Sequence, residues 1–460
     1  MSSAKLCAMD SPRTSPVYAN AVMKGVERGF FALFLFLQAI LLWKQWGHIQ
    51  GFDAGAYLEV FDHTHFFQPL PGVREFFYSY HPPLSHFLQR IIFFLYPNRE
   101  ISSQILSFLA VTGAVVLLRA LLKHCGLLWS LPGVCFLYIA ASLPVYIFLS
   151  TASSHDPLVF FWAVLTLALS VRIFWKTPAQ IQKPREEKRK QIGYSLLLIM
   201  TIAASLFTKF TGLLNIALPF IVIAVRYPPR EIIKKGSLAF LLSSVALAMV
   251  GPFYYQRYYQ SEGKFFPSPM EWIMTGTLKA RWAERDADPA GFTLRMLRWP
   301  GEPLWGMGTP VVQDSFFHSF WMHLWKRDTI LGPQMQFSSL LSDVYIGFFF
   351  GIFVSGTVLF FTLHSRRPKN WNHLGWILLC VALLFHGVMV AYAFEYPVWE
   401  WRIFKVNFIA FAMLWIPFCA AIILYHVLDI TRSRLRYVLQ WVAIFAVAEF
   451  MIFNHLLPVY

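Results

Sequence analysis

Charge is scarce in this chain. Asp, Glu, Lys and Arg make up only 14% of its 460 residues, where soluble domains average roughly 25%. With 57% hydrophobic residues and a mean hydropathy of +0.52, an ordinary soluble globular protein is excluded. Cysteine is scarce as well, five in all, too few for a disulfide scaffold of this length. No Asn-x-Ser/Thr occurs, and there is no Walker A or dinucleotide fingerprint. No internal repeat is evident, which weighs against an inverted-repeat transporter.

Long apolar runs fill the space that charge leaves. Eleven segments read as membrane-spanning helices, because only a helix satisfies its own backbone in hydrocarbon. They cover about 29–46, 102–122, 129–149, 155–175, 192–208, 211–226, 236–254, 344–363, 373–393, 403–427 and 438–457. The pair at 192–226 is nearly continuous. The first run follows a polar stretch with no small-residue cleavage site behind it, and is read as an anchor, not a removed signal.

Orientation follows from the basic residues. With the N-terminus inside, the short inner segments hold 23 of the 39 Lys and Arg, the positive-inside pattern. The net charge of +15 is therefore mostly topology, and scattered loop charges form no nucleic-acid recognition element. On this topology Cys7 and Cys125 lie inside and Cys135, Cys380 and Cys419 lie in spans, so no outer loop holds a pair. A bacterial cytoplasmic membrane is the expected location. The expected organisation is a tail at 1–28, a transmembrane core at 29–254 with an outer loop at 47–101, a second outer loop at 255–343 and a C-terminal bundle at 344–460. The second loop balances nine basic against nine acidic residues and carries six Trp, which suggests helices lying at the interface.

Polar chemistry gathers on the outer side. Asp53 opens the first outer loop, with Tyr57 and Glu59 following on what could be one helical turn. A carboxylate at the membrane surface can take a proton from a hydroxyl whose electrophile is carried on a lipid; it can also be a loop cap. Further on come Tyr80-His81-Pro82-Pro83-Leu84, then Ser153-Ser154-His155-Asp156-Pro157-Leu158 at the start of the fourth span. Leu206-Phe207-Thr208-Lys209-Phe210-Thr211-Gly212 sits between two spans.

These residues, in this order and topology over roughly 29–260, resemble the polyprenyl-phosphate-sugar glycosyltransferases of GT-C architecture. They resemble in particular the branch that contains the protein O-mannosyltransferases and the aminoarabinose transferases of lipid A. Two departures stand out. Asp53 is followed by Ala54 where the family often has Asp-Glu. The late stretch Trp401-Arg402-Ile403-Phe404-Lys405 spaces its basic residues differently from the family's Lys-x-Arg-Tyr.

The resemblance implies an all-α integral membrane GT-C fold of about eleven spans, with two extracytoplasmic loop regions carrying interfacial helices. It implies inverting transfer of a sugar from a polyprenyl phosphate (undecaprenyl or dolichyl) to a hydroxyl on protein, lipid or glycan, on the outer face. Asp53 is then the base. No general acid is needed, because the phosphate leaves unprotonated, unlike in hydrolases with paired carboxylates. Lys209, Arg402 and Lys405 are the candidates for holding that phosphate. As alternatives, Lys209 is a snorkelling interfacial lysine and the other two are anchors. Asp156 is either part of the substrate site or a helix cap before Pro157. His81, held in an extended turn by two prolines, contacts substrate or buttresses the loop.

No cofactor is expected. Asp62-His63-Thr64-His65 is a weak metal signal, and a divalent metal is possible without being supported. Asp286-Ala287-Asp288 looks like a nucleotide-sugar DxD, but a turn before Pro289 explains it. The competing function is a transporter or flippase of a lipid-linked sugar, which would use the same cations without a base. Its ionisable groups would be expected near the bilayer midplane, whereas these lie at span ends.

Overall fold

In the computed structural model, residues 16–48, 54–76, 79–175, 184–268, 270–273, 275–297, 339–397, 406–431 and 433–456 are described. Among them the chain forms helices and loops and no strand. The helices are α1 (Pro16–Lys44), α2 (Ala54–Asp62), α3 (Leu84–Leu95), α4 (Arg99–His124), α5 (Leu131–Ala141), α6 (Pro144–Leu149), α7 (Asp156–Phe174) and α8 (Pro184–Thr208). After a 3-10 turn at Phe210–Ile216 come α9 (Ala217–Arg226), α10 (Pro229–Tyr254), α11 (Thr275–Ala287), α12 (Pro289–Leu297), α13 (Ser339–Thr362) and α14 (Lys369–Glu395). A 3-10 segment at Val406–Leu414 leads into α15 (Trp415–Ile430) and α16 (Ser433–Leu456).

Eight described helices are long and apolar enough to cross a membrane: α1, α4, α7, α8, α10, α14, α15 with its lead-in, and α16. This is an all-α multi-pass membrane protein. The other three expected spans are helical as well. The 129–149 segment is split into α5 and α6, because Pro144 has no N–H to donate and its ring pushes Leu143 to an extended conformation (ψ 137°). The 211–226 segment starts as 3-10 helix before α9. The 344–363 segment lies in α13, whose apolar part is described from Gly347 to Thr362. The nearly continuous 192–226 stretch is two helices, separated at Lys209.

α7 and α15 are the most enclosed spans; α7 packs on α4, α8 and α9, and α15 on α5 and α13. The α13–α15 crossing is close enough that a Cβ on Gly356 would meet the Cys419 Cβ at 2.4 Å. At the end read as inner, Glu27 is fully buried, accepts from Arg119 at 2.8 Å and from the Tyr138 hydroxyl at 3.1 Å, and so ties α1 to α4 and α5.

The opposite end carries the site, and arginines organise its loops. Arg90 on α3 donates to the carbonyls of Phe61 and Thr64 and so caps the C-terminal end of α2. Arg257 sits in a π-helical turn (Tyr255–Tyr259) and donates to the carbonyls of Pro71 (2.9 Å) and Ser79 (2.8 Å). Arg74 pairs with Glu262 at 2.6 Å. The segments following α1 and α10 are thereby stitched together.

Candidate active site

α8 ends at Thr208 and the chain extends for one residue, Lys209 (φ −163°, ψ 151°), before the 3-10 turn begins. The turn folds back on α8: the Gly212 N–H donates to the Lys209 carbonyl at 2.9 Å, and Asn215 donates to the Ser205 hydroxyl at 2.7 Å. This aims Lys209 at the start of α7. His155 occupies the cap position of α7 without capping it through its side chain, and Asp156 is the first helical residue. The Asp156 carboxylate accepts from Lys209 Nζ at 2.6 Å. Lys209 is 7% exposed and Asp156 4%. Both charges have lost most of their water, which is tolerable because each supplies the other's counter-ion.

Aromatic and imidazole rings surround the pair. The His81 ring lies 4.6 Å from His155, which lies 5.0 Å from His86 and 4.9 Å from Tyr57; Tyr57 and His86 are 4.5 Å apart. All four are buried. Burial, then the nearby Lys209 ammonium, holds His81 well below the usual imidazole range. Burial, then Arg90, pushes His86 down to about 3. At neutral pH these two rings are uncharged. Phe210 forms an apolar wall with Tyr254, Tyr258 and Phe266, at ring distances of 6.0, 5.3 and 5.6 Å. An ammonium shielded in this way binds an entering anion strongly if that anion takes over the place of Asp156.

Of the residues singled out from sequence, Tyr57, His81, Asp156 and Lys209 are brought together from four separate segments. Glu59 is not among them: two positions along a helix are about 200° apart, so Tyr57 faces inward while Glu59 is exposed. Asp53 directly precedes α2 and lies outside the described residues, as do Arg402 and Lys405. Sequence reasoning passed over His86 and His155. His155 stands inside the Ser153–Leu158 stretch and His86 two residues past Leu84, each beside a residue already singled out or quoted, and that proximity was the available signal. It also passed over Arg90, whose role depends on where α2 ends.

The discounted signals have local partners. Asp62 pairs with Arg99, and His63 stacks on Phe76 at 4.6 Å. Asp288 accepts from the Gly291 N–H at 2.9 Å within the α12 turn. Among the described residues no group of three or more His, Cys, Asp or Glu could hold a metal ion.

Fold and site together define a polytopic helical membrane protein with a shielded ion pair where spans α7 and α8 meet. No family model and no curated protein matches the chain. Among solved structures it is similar to ArnT from Cupriavidus metallidurans in the apo state, at 14% identity and a TM-score of 0.39 over 87% of this chain and 76% of that one. The same protein bound to undecaprenyl phosphate gives 14% identity and a TM-score of 0.37, covering 87% and 78%.

Proposed function

We propose that the protein is an inverting glycosyltransferase that moves a sugar from a polyprenyl phosphate to a hydroxyl acceptor at the outer membrane surface. The observation that carries this reading is the buried Lys209–Asp156 pair at a span end, ringed by Tyr57 and His81. A lipid-borne phosphate entering sideways from the bilayer supplies an anion that can replace Asp156 on the ammonium. The Asp53 carboxylate accepts the proton of the acceptor hydroxyl. The acceptor oxygen forms a bond to the anomeric carbon from the side opposite the phosphate. The anomeric carbon–oxygen bond breaks, and its electron pair leaves with polyprenyl phosphate, whose charge Lys209 balances. Arg402 and Lys405 are further candidates for that charge. The position of Lys209 and Asp156 at helix ends favours chemistry over transport, which would use groups near the midplane.

Release of polyprenyl phosphate from a panel of polyprenyl-phosphate sugars, with cell-envelope acceptor added, tests this. Asp53→Asn is expected to abolish release from the one sugar that supports it. Lys209→Met is expected to slow it about 100-fold, for the loss of about 3 kcal/mol of charge stabilisation. Because that variant leaves Asp156 buried without its ammonium, the Lys209→Met/Asp156→Asn pair serves as its folding control. Lipid that binds yet is never cleaved, by the wild type or by Asp53→Asn, would transfer the assignment to a transporter.

A further inference from the structure

A second feature lies on helices that carry none of the described candidate-site residues. α5, α13, α15 and α16 enclose a groove of about 490 Å³, within the size range of ligand sites. Its walls are rings and aliphatic groups, among them Phe349, Phe450 and Phe453, and Ala446 leaves room on the floor. A single carboxylate, Glu449, interrupts this lining. Glu449 is exposed, and among the described residues it makes no hydrogen bond or ion pair.

Depth makes that carboxylate unusual. Arg436 marks one end of α16 by donating to the carbonyls of Asp429 and Thr431 at the turn from α15. Glu449 lies thirteen residues further on, about 20 Å at 1.5 Å per residue, of a hydrocarbon layer about 30 Å thick. The far end of α16 is pinned to α1 through Gln38 and His455, 3.2 Å apart, on the side of the bundle that holds the Lys209 site. The carboxylate thus faces lipid in the outer half of the bilayer, where an ionised group is costly without a cationic partner.

An apolar groove and a lone carboxylate at its edge call for one occupant with both properties, an apolar chain and a cation that descends from the headgroup layer. A primary ammonium adds N–H donors, which a quaternary one lacks, and gives charge-assisted hydrogen bonds to the carboxylate. We propose that this groove is a binding site for an amine-headed phospholipid, phosphatidylethanolamine, with an acyl chain between the phenylalanines and the ammonium on Glu449. The proposal stands apart from the transferase reading and does not need it.

The test is lipid retention. The full chain is reconstituted in equal phosphatidylethanolamine, phosphatidylcholine and phosphatidylglycerol, extracted gently, and weighed with its lipids by native mass spectrometry. Phosphatidylethanolamine is expected to be enriched at least fivefold on the wild type and to fall to the level of the other two on Glu449→Gln. Ala446→Trp fills the groove and leaves the carboxylate in place; it should also lose the enrichment, and it decides the matter alone if Glu449→Gln fails to fold. Equal retention of the three lipids, or enrichment that survives both variants, overturns the proposal. So does retention of a second copy of the chain that Glu449→Gln removes, which would make the groove a protein contact.

Discussion

His86 is fully buried, and among the described residues neither ring nitrogen has a hydrogen-bond partner. Its native affinity for a proton is depressed to about 3 by burial and by Arg90, while in the unfolded chain it is near 6.5. The unfolded state therefore takes up a proton that the folded state refuses as pH falls below about 6.5. Stability present at pH 7 should be lost progressively on the way to pH 5, and His86→Leu should flatten that loss. Thermal unfolding midpoints in detergent at several pH values would show it; an equally steep profile in the variant would contradict the assignment. His81 titrates in the same sense, so the slope should diminish without vanishing. At this scale the sequence was informative about which residues are odd and silent about which meet. Lys209 and Asp156 stand out as charges at span edges, but their 2.6 Å contact joins positions 53 residues apart and depends on how α7 packs on α8.

The elements that hold the site are set by close approaches. A Cβ on Gly212 would meet the Ser205 carbonyl oxygen at 2.3 Å, and because that atom is backbone, no rotamer change relieves the clash. Gly212→Ala should thus lift the 3-10 turn off α8 and carry Lys209 away from Asp156. A stability loss of about 1–3 kcal/mol is expected, as for other overpacked sites, together with slower release of polyprenyl phosphate. Gly193, in α8 with open space around it, is the control; its change to Ala should be neutral or slightly stabilising. A Gly212→Ala protein as stable as Gly193→Ala would mean the turn is looser than described. Helix positions were readable because apolar length is a strong signal. The break between α5 and α6 had a visible cause in Pro144, whereas the 3-10 turn after Lys209 had none, since it arises from Ser205 and Asn215 bonding across the gap.

Across the whole molecule, the segments that follow α1 and α10 are held together by arginines. Arg257 holds both Pro71 and Ser79, and Ser79 immediately precedes Tyr80 and His81. Arg257→Ala should leave the unfolding midpoint of the bundle nearly unchanged yet raise amide hydrogen exchange over residues 79–81, because the restraint lost is local. Exchange that rises equally in α4 and α7 would instead make Arg257 a general stability residue. Where the apolar segments lie could be read directly. Cross-links between loops could not, because they are made to backbone carbonyls, which every residue has. The Lys209–Asp156 pair has a consequence for how such a chain is made. It joins the first residue of one span to the residue that follows the next, so α7 and α8 form a closed hairpin with both charges at its open end. Delivered singly, each charge would cross the bilayer as an ion; delivered together, they cross as a neutral dipole. The hairpin, and not the single helix, is then the natural unit of membrane insertion.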